Sequence, residues 1–571
     1  MTPPQTGAEA FCAALEREGV GCVFGLPGTQ TVALYEALRH SAIRAIVPTH
    51  ELGAAFMAYG YARASGKPGV LLTIPGPGFA FAPAGLAEAK LDGVPVVHFT
   101  VAPSRGPTGE PAFQALDQAA IARPLVKAVF RAETRMELPS VVREALRVAM
   151  QPEPGPVFVE MTEAALRESL EDGLQSAQDH AQPAARTVAT ADAVQELVEL
   201  VARAKRPAFF VAGDCSAVAA SLSRLAVAGR TPVFVPPPSR GVMPEDHPWM
   251  LCCDDQRTRF ESIQAALALA DPVVILGTRL THVATAGFRL KFAAEHTVCL
   301  SESGATLPHG YKAALTLHAS MGAVLERLES EAPRFASCWL EADVREWRAR
   351  FTSNMQTEPP EPVVNGGSAA AFFTEMRSVL PRDAIVVTDS GLHQALVRRH
   401  FPVLGTSGLV FPCELQSMGF GLPAAIGAKL AQPKRVVVVV MGDGGFAMTG
   451  LELLTAVRDD VQVITVVFND GKLNLIRLQQ LREYGVAHGT DLRGPDLERF
   501  AEAVGVRYLD ASPSASAAFQ DAVASGQTTI IEVVVGDSNR IRRVRATSHA
   551  KEALRRAIGP RIVNWLKRRL R

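Results

Sequence analysis

The stretch MGDGGFAMTGLELLTAVRDDVQVITVVFNDGKLNL (441–475) decides how this chain is read. An apolar run ends in Gly442-Asp443-Gly444-Gly445, a helix-period segment follows, and a second apolar run ends in Asn469-Asp470-Gly471-Lys472. Glycines directly after a strand let the backbone come close to an anion, and the next helix N-terminus favours a phosphate. A carboxylate in such a loop is wrong for phosphate itself. It is right for a Mg²⁺ ion that bridges to a diphosphate, because Mg²⁺ takes hard oxygen ligands. A second oxygen donor 27 positions on would sit at the end of the neighbouring strand, and Asp470 is at that spacing. Two ordinary strand-end turns are the bland alternative, and the pairing of both turns outweighs it.

Working outward, the same grammar recurs: a β-branched run, a Gly/Pro turn, then a helix-period segment. CVFGLPG (22–28), AIVPTHE (45–51), GVLLTIPGP (69–77), VPVVHFTVA (94–102) and PVFVEM (156–161) form a first set. PAFFVAGD (207–214), TPVFVPPPSRG (231–241), DPVVILGTRL (271–280) and TVCLSES (297–303) form a second. AIVVTDSG (384–391) and TTIIEVVVGD (528–537) flank the opening stretch in a third. Runs that are apolar on both faces read as buried parallel strands, and their alternation with helices predicts α/β layers. The expected fold class is therefore α/β, with three doubly wound parallel-sheet domains at 1–165, 190–345 and 366–540 and a basic helical tail at 541–571. Polar, strand-free stretches at 166–190 and 352–367 read as linkers. Residues 540–571 hold twelve Lys or Arg and one acidic residue, Glu552. Leu554, Ile558, Ile562, Leu566 and Leu570 make an apolar stripe there, with Trp565 beside it. Such a helix suits a lid over an active-site entrance, peripheral contact with an anionic membrane surface, or no role beyond solvation.

Composition narrows the classes. At 571 residues and 48% apolar content the chain builds a large core. Fifty-eight basic and 58 acidic residues cancel, which argues against a general nucleic-acid binder. The eight cysteines are scattered, with no C-x-x-C and no zinc spacing, so a reducing, cytoplasmic setting is expected. No signal peptide and no membrane-spanning run is read.

With both strand-end turns in place, the sequence resembles the thiamine diphosphate-dependent enzymes of the acetolactate synthase and pyruvate oxidase group, whose signature is GDG followed by an Asn or Asp pair. The resemblance covers nearly the whole chain. It implies a pyrimidine-binding, a central and a diphosphate-binding domain. It implies that Asp443 and Asp470 hold Mg²⁺ through side chains and Lys472 through its backbone carbonyl. Asn469 is the alternative to Asp470, where the family more often has Asn. Glu51, in VPTHELGAAFMAYGYARASGKPGV (47–70), matches the glutamate that bonds N1′ of the aminopyrimidine and drives ylid formation. A helix N-terminal glutamate that merely suits the dipole is its alternative.

Further matches surround these. Phe24 to Gly28 resembles a turn facing the cofactor of a partner subunit, with Thr29 near the reacting centre, Gly76 in another active-site turn and Gln114 close to the thiazolium. In ELQSMGFGLPAAIGAKLA (414–431), Met418 corresponds to the apolar residue propping the cofactor into a V shape. Gln416 offers its carbonyl to the 4′-amino group, and Gly391 and His393 match a segment contacting the diphosphate. Gly442, Gly444 and Gly445 complete the cofactor cradle. Arg279 resembles an arginine that binds an acceptor carboxylate, or is a strand-end arginine in solvent.

The sequence also departs from acetolactate synthases. Leu392 replaces a phosphate-contacting Gln, Gln416 replaces Gly, and Phe81 stands where Asn is common. Ile74 stands where benzoylformate decarboxylase-like enzymes place His. The resemblance implies a thiamine diphosphate- and Mg²⁺-dependent lyase or transferase acting on a small 2-oxo acid. The acyl-anion equivalent would pass to an acceptor carbonyl, with a homodimer or homotetramer as the working unit. Alternatives are an FAD-dependent pyruvate oxidase-like enzyme, a 2-hydroxyacyl-CoA lyase or 2-oxoacyl-CoA decarboxylase, and a non-catalytic binding subunit. FAD is not expected, because the central domain lacks the usual glycine-rich turns.

Overall fold

The structure, a computed structural model, describes residues 6–102, 113–169, 190–352, 361–538 and 541. Most of the expected linker at 166–190, part of that at 352–367 and nearly all of the basic tail lie outside these residues.

The β-branched runs form three sheets. The first contains β1 (Cys22–Gly25), β2 (Arg44–Ile46), β3 (Gly69–Thr73), β4 (Val96–Val101), β5 (Ala128–Ala132) and β6 (Val157–Met161), in the order β2-β1-β3-β4-β6-β5. The second contains β7 (Ala208–Val211), β8 (Val233–Val235), β9 (Met250–Cys252), β10 (Val273–Leu276), β11 (Thr297–Ser301) and β12 (Leu315–His318), in the order β12-β11-β10-β7-β8-β9. Every pairing in these two sheets is parallel.

The third sheet contains β13 (Val363–Val364), β14 (Gly367–Ser368), β15 (Ile385–Thr388), β16 (Leu409–Val410), β17 (Val437–Gly442), β18 (Ile464–Asn469), β19 (Arg507–Asp510) and β20 (Thr529–Gly536). Its order is β14-β13-β20-β18-β17-β15-β16, with β19 also on β20. This sheet corrects two expectations. The end of the expected second linker is a hairpin, β13–β14, and β13 pairs antiparallel with β20, so the third sheet is not wholly parallel. A Val-Val pair beside Asn365-Gly366, both with positive φ, is enough to make that turn.

The first and third domains share one core. Helix Glu51–Ser65 packs on helix Gly421–Ala431, with Phe420 edge-on to Phe56 and Tyr59 at 5.3 and 4.9 Å. The backbones touch. A Cβ at Gly60 would lie 2.0 Å from the carbonyl oxygen of Ala424, and one at Gly427 2.0 Å from that of Met57. Gly60→Ala is therefore expected to destabilise the protein by roughly 1–3 kcal/mol or more, read by urea unfolding, because the clash is with backbone. The central domain is tied to the third by a buried ion cluster. Asp254 receives Arg240 at 3.0 Å and Arg398 at 2.8 Å, and Arg240 also donates to the carbonyls of Arg398 and Phe401.

Candidate active site

A cavity opens at the carboxyl ends of β15, β17 and β18, lined by Gly391, His393, Met418, Gly442 to Gly445, Asp470, Lys472 and Asn474 among others. The sheet winds both ways from the β15–β17 pair, which makes this the switch point where doubly wound sheets bind ligands. Asp443 opens helix Asp443–Thr449 directly after β17. Its Oδ1 accepts the Gly444 N–H at 2.9 Å and its Oδ2 the Gly471 N–H at 2.8 Å, so the two turns are joined through this carboxylate. Asp470 accepts the Lys472 N–H at 2.9 Å and the Asn474 amide at 2.7 Å. Lys472 Nζ donates to the Asp470 carbonyl at 3.0 Å.

Burial, and then the neighbouring charge of Asp443, push Asp470 up to about 6, and burial raises Asp443 as well. Two carboxylates side by side, Asp443 buried and Asp470 partly so, repel one another, and a divalent cation removes that repulsion. The donor set is two carboxylates with the Lys472 carbonyl nearby, all oxygen, which suits Mg²⁺. Among the described residues there is no cluster of three or more His, Cys, Asp or Glu that would make a protein-only metal cage.

Asn469 is the member of the pair turned elsewhere. Its amide donates to Glu532 at 2.7 Å, and it does not line the cavity. His393 is buried, and its Nε2 has no hydrogen-bond partner. Burial lowers its pKa to about 4, against the opposing pull of the Asp389 backbone, so the imidazole is neutral and Nε2 is the ring atom left to meet a ligand. Leu392 also lines the cavity, so this wall is apolar where the resemblance leads one to expect Gln.

The Met418 segment is held from beneath by Asp389. This fully buried carboxylate accepts the N–H groups of Gly419 and Phe420 at 3.0 Å and of Gly421 at 3.3 Å. A Cβ at Gly445 would lie 1.7 Å from Asp389 Oδ2, so only glycine fits there. Burial pushes Asp389 up to about 6. Gln416 has φ 64°, a left-handed conformation that glycine adopts without strain, as the resemblance leads one to expect there.

The first-domain residues form a second group. Glu51 opens its helix after His50, whose Nδ1 accepts the Leu52 N–H at 3.1 Å. A Cβ at Gly78 would lie 3.3 Å from Glu51 Oε1 and 2.7 Å from Ile74 Cγ1, and one at Gly28 would lie 2.5 Å from Ile74 Cγ2. Thr29 begins a 3₁₀ turn after Gly28. Gln30 donates to Gln114 at 2.7 Å, and the Gln114 carbonyl lies 2.5 Å from the Cβ position of Gly76. Glu51, Gly28, Thr29, Gly76 and Gln114 thus form one surface. Burial, and then the charge of Glu51, raise the Tyr35 hydroxyl.

Arg279 lies apart from both groups. It donates to the Leu91 carbonyl and lines a crevice of about 560 Å³ between the first and central domains, with Arg63, Asp214 and Glu302. Three polar supports escaped the sequence reading: Asn474, Asp389 and Gln118, whose Oε1 accepts the Gly76 N–H at 3.1 Å. Asn474 follows Asp470 by one helical turn and was within reach of a spacing argument. The other two act through folded contacts only.

Three successive family profiles match: "Thiamine pyrophosphate enzyme, N-terminal TPP binding domain" over residues 5–121, the central domain over 194–328, and the C-terminal TPP binding domain over 389–533. The chain is similar to "Acetolactate synthase isozyme 1 large subunit" of Escherichia coli (strain K12), 29% identical over 522 residues, 90% of this chain and 91% of that protein. It is 28% identical over 554 residues to "Acetolactate synthase large subunit" of Lactococcus lactis subsp. lactis (strain IL1403), covering 95% and 94%. Similarity to "Acetolactate synthase catalytic subunit, mitochondrial" of Saccharomyces cerevisiae is 28% over 533 residues, covering 88% and 76%.

Proposed function

The chain belongs to the thiamine pyrophosphate enzyme family as an acetolactate synthase-like, thiamine diphosphate-dependent enzyme, and on that premise we propose that it is a cytoplasmic, Mg²⁺-dependent carboligase that decarboxylates a small 2-oxo acid and joins the remaining acyl unit to an acceptor carbonyl. The observation that carries this reading is the joining of Asp443, Asp470 and Lys472 with the free Nε2 of His393 in one cavity. When bound, thiamine diphosphate supplies an electron sink for the electron pair left by CO₂ loss. Asp443, Asp470 and the Lys472 carbonyl would hold the Mg²⁺ that neutralises the diphosphate, and His393 would stand beside the phosphate oxygens. Met418 would support the cofactor from the apolar side, the Gln416 carbonyl would accept its 4′-amino group, and Glu51 would exchange a proton with N1′ of the pyrimidine. Incubation with pyruvate, cofactor and Mg²⁺ is expected to release CO₂ and form acetolactate, read as acetoin after acid treatment. Absence of CO₂ release from every small 2-oxo acid offered would sink the proposal.

A homodimer or larger homo-oligomer completes the site in this reading. In support, the diphosphate cavity is lined by residues from Pro362 to Val535 and by no first-domain residue. Met448, Leu451, Leu454 and Val457 recur every three residues along the chain after Asp443 and are 61%, 55%, 43% and 44% exposed, an apolar face suited to a second copy. An active species sedimenting as a monomer would overturn this.

The central crevice favours a second reading, a nucleotide-bearing ligand such as FAD or coenzyme A. It opens at the carboxyl ends of β7, β10 and β11, where the second sheet changes winding direction. Flavin absorbance of the purified protein separates an oxidase from the carboligase.

Asp470 also sets a pH dependence. Its folded-state pKa lies above the ordinary carboxylate value, so the metal-free fold loses stability as pH rises through about 4 to 6. Metal binding needs the charged form and strengthens over the same window. Affinity for cofactor with Mg²⁺ is expected to fall about ten-fold between pH 7 and pH 5, and less in Asp470→Asn. Calorimetric titration at the two pH values checks this.

A further inference from the structure

The segment leading into Glu51 is bound to the third domain of its own chain, largely through one carboxylate. Glu452 is 1% exposed and opens helix Glu452–Arg458, which follows the Asp443 helix after a two-residue break. Its Oε1 accepts the Thr49 hydroxyl at 2.8 Å and the Thr49 N–H at 3.2 Å. Its Oε2 accepts the same N–H at 3.1 Å and the Thr455 hydroxyl at 2.7 Å. Thr49 stands two residues before Glu51. The first turn of the Glu51 helix is shaped to the same group: a Cβ at Gly53 would lie 2.2 Å from Glu452 Oε1. The far end of the Glu452 helix holds the same segment, since Arg458 donates to the Val47 carbonyl and Arg44 to the Asp459 carbonyl.

We propose that Glu452 is a positioning residue for Glu51, acting through Thr49 and Gly53 of its own chain. No hydrogen bond among the described residues fixes the Glu51 carboxylate, so its placement is inherited from where its helix begins. A chain that enters the helix a fraction of an ångström away carries the carboxylate with it, and catalysis is sensitive to displacements of that size. The inference rests on the shared-site reading above, in which Glu51 serves the cofactor held by the partner copy. Glu452 then acts on the partner's site, although it lies nine residues from the Asp443 of its own.

Glu452→Ala is expected to slow C2–H exchange of bound thiamine diphosphate about 10²-fold, with affinity for cofactor and Mg²⁺ within two-fold of wild type. Glu452→Gln should recover most of the rate, because its amide oxygen still accepts both Thr49 donors. Gly53→Ala, which leaves Glu452 in place and crowds it, should reproduce the slow exchange. If Glu452→Ala fails to fold, Thr49→Val carries the same test, with Thr49→Ser as its recovery.

Subunit hybrids identify which site is affected. In a hybrid of Asp443→Ala and Glu452→Ala subunits, one site combines the intact diphosphate domain of one chain with the correctly held Glu51 of the other. Its exchange rate should match that of a control hybrid of Asp443→Ala and Glu51→Gln subunits, which also retains one intact site. Recovery in the control but not in the Glu452 hybrid overturns the inference alone. No recovery in the control overturns the shared-site reading, and the inference with it. A Glu452→Ala homo-oligomer with wild-type exchange also overturns the inference.

Discussion

Glu51→Gln is expected to slow C2–H exchange of bound thiamine diphosphate by roughly 10²–10⁴-fold, the range over which a positioned acid–base group contributes. Fold and cofactor affinity should change little. The carboxylate lies on the first-domain surface with Gly78, Ile74 and Gln114, while the groups that hold diphosphate and metal belong to the third domain. Glutamine keeps the length and polarity of the side chain and removes only its ability to take up and release a proton. Deuterium exchange at C2, followed by NMR after acid quench, reads the step directly. Exchange as fast as wild type would exclude Glu51 from the role.

The second large effect concerns the metal. Asp443→Ala should weaken binding of cofactor with Mg²⁺ by about 10²-fold or more, since loss even of an outer partner of a metal site costs 10- to 100-fold. The metal-free protein should change in stability by no more than about 1 kcal/mol. Two backbone N–H groups, those of Gly444 and Gly471, lose an acceptor, but the repulsion on Asp470 is relieved at the same time. Calorimetry for binding and urea unfolding without metal separate the two quantities. Equal losses in both would mean that Asp443 is a structural carboxylate rather than a metal ligand.

Much of the fold was legible because its strands are buried on both faces. β3, β4, β10, β17 and β18 are predominantly apolar runs, and each sits inside a sheet. The strands that escaped the reading, β5, β9, β12, β16 and β19, all lie at sheet edges, and β13 and β14 are two residues each. An edge strand is short and meets water on one side, so its sequence carries polar residues and loses the continuous pattern. Val-Phe-Arg in β5 and Tyr-Leu-Asp in β19 are examples.

The sequence by itself determined the strand, glycine turn, carboxylate and helix of the candidate diphosphate site, because these are all local and follow one another along the chain. Turn chemistry placed Asp443 and Asp470 at one sheet's carboxyl edge, and the resemblance added Lys472, Met418 and His393. It left Asn469 and Asp470 as alternatives. In the folded sheet β18 pairs with β20, which offers Glu532 to the Asn469 amide and leaves Asp470 lining the cavity. Arg279 was likewise open, and only the packing of the first domain on the second supplied the Leu91 carbonyl it meets. Asp389 beneath the Met418 segment and Glu452 behind Thr49 gave no local signal, since their partners lie 30 and 403 residues away. A spacing rule reads what one strand and one turn impose. It cannot read a buried carboxylate whose function is defined by backbone donors that tertiary packing brings to it.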